Sequence, residues 1–97
     1  MKNKSKVLDE LMERIKIKKN SSPITSYTAS LFKKGNEKIA NKFGEEAFET
    51  VTAFLSQGRN EIVEETADLI FHLFVLLEKA DVSPDEVWDV LKKRMKN

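Results

Sequence analysis

The sequence has 97 residues, of which 40% are hydrophobic and 34% are charged, and its formal net charge is only +1. This length fits one domain, which we place over residues 1–97, and the hydrophobic fraction is too high for a wholly disordered chain. The balanced charge argues against nucleic-acid binding by bulk electrostatics, and the absence of cysteine excludes disulfides and thiolate chemistry. No hydrophobic run approaches the roughly 20 residues of a membrane span, and the polar, basic start does not resemble a secretory signal. We therefore expect a soluble, cytoplasmic protein.

The hydrophobic pattern predicts five helices and no strand, because hydrophobic residues recur at three- and four-residue steps. The predicted helices run from about Lys4 to Lys18, from Ser26 to Lys34, from Asn36 to about Gln57, from about Asn60 to Ala80, and from Pro84 onwards. Three starts have a specific signal. Ser26 and Asn36 can each cap a helix, and Ser83 forms a capping box with Glu86. The fold class is therefore all-α, a four- to five-helix bundle.

The third and fourth helices carry most of the hydrophobic surface. The predicted core stripe of the third helix consists of Ile39, Phe43, Ala47, Val51, Phe54 and Leu55. The fourth helix is hydrophobic at every position from Leu69 to Leu77 except His72. A helix that is apolar all round is normally buried on every side, and four other short helices cover only part of it. We therefore predict a homodimer that pairs through this stretch, with a well-wrapped monomer as the alternative.

Two acidic pairs lie beside these hydrophobic stripes. Glu46 and Glu49 on the third helix are three residues apart, as are Glu65 and Asp68 on the fourth, so each pair shares a helical face. Four carboxylates in a partly dry groove repel one another unless a cation neutralises them. Oxygen ligands suit magnesium or manganese rather than zinc. The alternative is a solvated acidic face whose glutamates pair with lysines one turn away.

The surroundings of these acids resemble a known family. The segments that carry the resemblance are Ser26-Tyr27-Thr28-Ala29, Lys34-Gly35, Lys38-Ile39, Lys42-Phe43-Gly44-Glu45-Glu46-Ala47-x-Glu49 and Ala67-Asp68-Leu69-x-x-His72-Leu73. Together they resemble the phosphoribosyl-ATP pyrophosphohydrolases, members of the all-α nucleoside triphosphate pyrophosphohydrolases. The similarity extends from Val7 to Leu91.

The resemblance implies a homodimeric enzyme that hydrolyses phosphoribosyl-ATP to phosphoribosyl-AMP and pyrophosphate, the second step of histidine biosynthesis. It implies a Mg²⁺-activated water, with Mn²⁺ as a possible substitute, and four metal ligands, namely Glu46, Glu49, Glu65 and Asp68. Glu45 or Glu49 would take the proton of the attacking water.

Basic and aromatic residues around the acids are the candidates for holding the substrate. Lys34, Lys38 and Lys42 are expected to contact its phosphates, although a solvated basic strip explains them as well. For His72 we favour a hydrogen bond to a neighbouring carboxylate over metal ligation. The segment from Ser26 to Thr28 either orders a loop over the nucleotide or simply caps a helix.

Two other functions stay open at this stage. One is a housecleaning pyrophosphatase of the same fold that acts on non-standard nucleotides. The other is a non-catalytic helical dimerisation module whose acids merely solvate the surface. Metal binding separates the module from the enzymes, and substrate preference separates the two enzymes.

Overall fold

The computed structural model describes residues 6–96, and every regular element in that range is a helix. The helices are α1 (Val7–Lys18), α2 (Tyr27–Lys34), α3 (Asn36–Ser56), α4 (Arg59–Lys79) and α5 (Pro84–Met95). The all-α prediction with five helices is confirmed. The predicted helix start at Lys4 lies outside the described residues. Within residues 6–96, no helix combines the length and the hydrophobicity that crossing a membrane requires.

Side-chain caps start α2 and α5 where the sequence predicts them. Ser26 Oγ accepts a hydrogen bond from the Ala29 amide at 3.1 Å. At α5 the Ser83 hydroxyl accepts from the Asp85 amide at 3.2 Å, and the Glu86 carboxylate accepts from the Ser83 amide at 2.9 Å. These bonds satisfy amides that have no partner inside the helix, so both helices begin at a defined residue.

The start of α3 differs from the prediction. Asn36 is the first residue of the helix and not its cap, because Gly35 occupies the capping position. Gly35 has a φ of +93°, a conformation that residues with a Cβ rarely adopt. This glycine makes the sharp turn that folds α3 back from the end of α2.

The core lies where α1, α2 and the first half of α3 meet the second half of α4. Its buried members are Met12, Ile15, Leu31, Ile39, Phe74 and Val75, and Trp88 of α5 packs against them. Two ion pairs also join α4 to the end of α1, since Glu78 contacts Lys16 at 2.8 Å and Lys19 at 2.6 Å. The core thus fixes α1 against α4. The second half of α3 and the first half of α4 lie outside it.

The second half of α3 does not bury the predicted stripe. Val51, Phe54 and Leu55 are 53%, 72% and 72% exposed, whereas Glu46 and Ala53 are buried. The contacts of α3 are mainly with α4, and the core residues of α1 and α2 cluster around Ile39 near its other end. One neighbouring helix can cover only one face, so the opposite face of α3 remains exposed.

The hydrophobic stretch of α4 is partly covered within the chain. Each residue from Leu69 to Leu77 is buried or half-buried, and Phe74 and Val75 are only 2% and 1% exposed. Six of these nine residues are only half-buried, so pairing of two copies through this stretch stays a prediction. Among the described helices, α3 carries the largest group of exposed hydrophobic side chains, namely Phe48, Val51, Phe54 and Leu55.

Candidate active site

Three of the four predicted metal ligands meet between α3 and α4. One carboxylate oxygen from each of Glu46, Glu49 and Glu65 lies within 4.8 Å of the other two. Glu46 is 7% exposed, Glu65 is half-buried and Glu49 is exposed. We call these three residues the carboxylate cluster. Asp68, one turn after Glu65 on α4, is exposed and lies outside this group. The cluster is of a kind that could hold a hard metal ion.

Burial and neighbouring negative charge raise the pKa values of two members of the cluster, Glu46 and Glu65. Burial, followed by the hydrogen bond and charge of Glu49, raises the pKa of Glu46 from 4.5 to about 7, and Lys42 opposes the rise. The pKa of Glu65 is also raised, first by burial and then by the charges of Glu49 and Asp68. Asp68 raises the pKa of Glu46 as well, so it belongs to the cluster electrostatically. Around neutral pH Glu46 is therefore partly protonated, and a bound cation would displace that proton.

A threonine that the sequence analysis missed joins the two helices at the level of the cluster. Thr50 Oγ1 lies 2.8 Å from the carbonyl oxygen of Glu46 and 3.2 Å from that of Glu65. The hydroxyl is the only donor of the three groups, so its proton serves one carbonyl or is shared between both. The main chains that carry two facing carboxylates are thus joined through one side chain. The available signal was a hydroxyl residue one turn after Glu46, on the same face of α3.

Among the predicted lysines, Lys42 makes contacts with the acids. Its Nζ lies 3.9 Å from Glu45 Oε1 and 4.0 Å from Glu46 Oε2. Such long ion pairs contribute little to stability, so the ammonium group remains able to turn toward another anion. Lys38 is half-buried one turn earlier, and Lys34 is exposed at the end of α2.

The single histidine of the chain binds its single tyrosine. His72 is 7% exposed, its Nε2 lies 2.9 Å from the Tyr27 hydroxyl, and its Nδ1 lies 2.8 Å from the carbonyl oxygen of Asp68. A carbonyl only accepts, so Nδ1 donates, and in the neutral ring Nε2 accepts from Tyr27. The prediction that His72 binds a carboxylate was wrong, because its partners are a main-chain carbonyl and a phenol.

Comparison with known proteins points to one family. The family model for phosphoribosyl-ATP pyrophosphohydrolase matches residues 8–95. A phosphoribosyl-ATP pyrophosphatase of Paramagnetospirillum magneticum is 50% identical over 94 residues, which cover 97% of this chain and 86% of that protein. Proteins of the same name from Metallosphaera sedula and Sulfurisphaera tokodaii are 54% and 48% identical over 90 and 96 residues. These alignments cover 93% and 95% of this chain, and 97% and 98% of the respective relatives.

Proposed function

We propose that this chain, which belongs to the phosphoribosyl-ATP pyrophosphohydrolase family, hydrolyses phosphoribosyl-ATP to phosphoribosyl-AMP and pyrophosphate. This is the second step of histidine biosynthesis, and residues 1–97 would perform it as one domain. The observation that carries the proposal is the meeting of Glu46, Glu49 and Glu65 in one cluster, in a chain whose match to the family covers nearly its whole length. The cluster supplies the kind of site that anhydride hydrolysis requires.

The donor set of the cluster fits Mg²⁺, for which Mn²⁺ is a reasonable substitute. All ligands are carboxylate oxygens, and burial together with the neighbouring Glu49 raises the pKa of Glu46 to about 7, so a divalent cation would relieve the cost of ionising it. We assign metal binding to Glu46, Glu49, Glu65 and Asp68. When bound, Mg²⁺ would neutralise the phosphate oxygens of the substrate and lower the pKa of the attacking water.

Glu49 and Glu45 are the two candidates for accepting the proton of the water. Glu49 is part of the carboxylate cluster, whereas Glu45 lies outside it beside Lys42. A general base and a metal ligand respond differently to replacement by glutamine. The variant that lacks the base should lose turnover and keep its Mn²⁺ affinity, whereas the variant that lacks a ligand should lose both. Measuring both quantities for Glu45→Gln and Glu49→Gln assigns the roles.

We assign contacts with the substrate phosphates to Lys34, Lys38 and Lys42. The strongest support is for Lys42, because its long ion pairs place an ammonium group beside the carboxylates without binding it tightly. Lys38 is one turn away on the same helix. Replacing Lys42 by methionine should therefore raise the KM for the nucleotide substrate, since a charge-assisted phosphate contact contributes roughly 1.5 to 3 kcal/mol.

We also propose that the protein is a homodimer, which pairs through the exposed face of α3. Gly44, Phe48, Val51 and Leu55 follow one another at four-, three- and four-residue steps and so form a single stripe. The three larger side chains are 72%, 53% and 72% exposed, and a Cβ added at Gly44 would meet no atom within 4 Å. An exposed stripe of this kind beside a glycine suits close contact with another helix.

One assay tests the proposed function. Pyrophosphate release is measured with phosphoribosyl-ATP, ATP and modified pyrimidine triphosphates, each with and without Mg²⁺. We expect Mg²⁺-dependent release of pyrophosphate from phosphoribosyl-ATP and poor activity on ATP. Comparable turnover of ATP or of the modified nucleotides would indicate a housecleaning enzyme. Absence of activity together with absence of metal binding would leave a dimerisation module.

A further inference from the structure

A cavity is lined in part by Tyr27, whose hydroxyl contacts His72. It has a volume of about 260 Å³ and opens between α1 and the start of α2. Its lining consists of Leu11, Arg14, Ile15, Lys18, Thr25, Ser26, Tyr27, Thr28 and Phe71. We call it the α1–α2 cavity. It combines two aromatic rings with two cationic side chains, a composition that suits an aromatic ring carrying an anionic substituent.

The two cations of this cavity differ from their neighbours on α1. Lys16 and Lys19 are held by Glu78 at 2.8 and 2.6 Å. Among residues 6–96, neither Arg14 nor Lys18 takes part in an ion pair. Two cations without a carboxylate partner at the edge of a cavity are suited to bind an anion that comes from outside the chain.

Tyr27 connects this cavity to Asp68, which lies one turn after Glu65 of the carboxylate cluster, through two hydrogen bonds. Its hydroxyl bonds His72, which in turn bonds the main chain of Asp68, at 2.9 and 2.8 Å. Its ring lies nearly parallel to that of Phe71, with the centroids 6.2 Å apart and the planes inclined by 28°. The residue as a whole is 51% exposed. The phenol is therefore held in place at both its polar end and its ring, and it still presents a free surface.

We propose that the α1–α2 cavity is the subsite for the base of the substrate and the second ribose phosphate attached to it. The base would lie against Tyr27 and Phe71, and Arg14 and Lys18 would bind the phosphate. This inference rests on the proposed function, because phosphoribosyl-ATP carries that second phosphate at the end of the molecule away from its triphosphate, and ATP lacks it. Selectivity for phosphoribosyl-ATP then depends on α1, a helix outside the carboxylate cluster.

The test compares variants that lose the same charge inside and outside the cavity. Arg14→Met and Lys18→Met should each raise the KM for phosphoribosyl-ATP by roughly ten- to a hundredfold, with kcat, Mn²⁺ affinity and ATP cleavage nearly unchanged. Lys16→Met removes a neighbouring charge of α1 that is already paired with Glu78, and its KM should stay close to that of the unaltered protein. Equal KM values for Arg14→Met, Lys18→Met and Lys16→Met would overturn the proposal.

A second measurement follows Tyr27 directly. As the only tyrosine, it gives a single set of ring signals in a nuclear magnetic resonance spectrum. The ring signals should shift on addition of AMP but not on addition of inorganic tripolyphosphate, which has no base. Tyr27→Leu should raise the KM, and Tyr27→Phe, which keeps the ring, should recover most of the loss. An AMP titration that leaves the ring signals unmoved would refute the subsite, whereas failure of the unaltered enzyme to cleave phosphoribosyl-ATP would refute the proposed function.

Discussion

The crowded carboxylates should lower the free energy of unfolding, and Glu46 is the residue at which this effect can be measured without any substrate. Its pKa is about 7 in the folded protein against 4.5 ordinarily, so folding favours its protonated form. The contribution of this protonation to the free energy of unfolding is fully present below pH 4.5 and is lost as the pH rises through about 7. A pKa shift of this size corresponds to a change on the order of 3 kcal/mol in the free energy of unfolding.

The first prediction concerns the variant Glu46→Gln, in which an uncharged amide replaces this carboxyl group. Without divalent ions, the unaltered protein should lose free energy of unfolding between pH 5 and pH 8, and the variant should lose much less. Urea denaturation at several pH values measures the difference. Parallel curves for the two proteins would show that Glu46 is an ordinary solvated glutamate.

The second prediction concerns Asp68, which raises the pKa values of Glu46 and Glu65 without joining the compact cluster. Asp68→Asn keeps the shape of the side chain and removes its charge. The metal-free variant should be more stable than the unaltered protein, bind Mn²⁺ at least about tenfold more weakly and lose turnover. Asp89→Asn, on α5, is the matched control. Unchanged Mn²⁺ affinity in Asp68→Asn would show that Asp68 is not a metal ligand.

At the scale of helices, Thr50 gives a third prediction. Thr50→Val keeps the β-branched shape but removes the donor that joins α3 to α4. We expect a loss of about 1 kcal/mol of stability together with weaker Mn²⁺ binding, because the facing carboxylates lose their fixed spacing. Thr50→Ser restores the donor and should recover both, and Thr52→Val on the same helix is the control. If Thr50→Val and Thr52→Val bind Mn²⁺ alike, Thr50 does not position the site.

The helices and the serine caps of α2 and α5 were predictable from the sequence because their causes are local, whereas the predicted cap of α3 by Asn36 was wrong. The Ser26 cap and the Ser83 capping box each depend on residues within one turn of each other. The acidic pairs were also visible, since three-residue spacing fixes a helical face. The exposure of Val51 and Leu55 was not predictable, because it depends on where α1 and α2 end in space. The bond between Tyr27 and His72 joins residues 45 positions apart, and no periodic pattern predicts it.

At the scale of the whole molecule, the distribution of exposed hydrophobic residues bears on assembly. The α3 stripe of Phe48, Val51 and Leu55 lies on the helix that carries Glu46 and Glu49. If two copies pair there, each carboxylate cluster lies close to the interface. Dimer formation would then order the helix on which the metal ligands stand, so dissociation should weaken metal binding as well as assembly.

The fourth prediction tests this coupling with a charge placed on the stripe. Phe48→Glu should convert a dimer into a monomer at micromolar concentration, because burying an unpaired carboxylate costs several kcal/mol. Ile24→Glu is the matched control, since Ile24 is 94% exposed in the loop before α2 and lies outside the stripe. Analytical ultracentrifugation measures the mass, and circular dichroism confirms that each variant keeps its helices. A strictly monomeric unaltered protein would refute the dimer. A monomeric Phe48→Glu variant with full Mn²⁺ affinity would show that assembly and metal binding are independent.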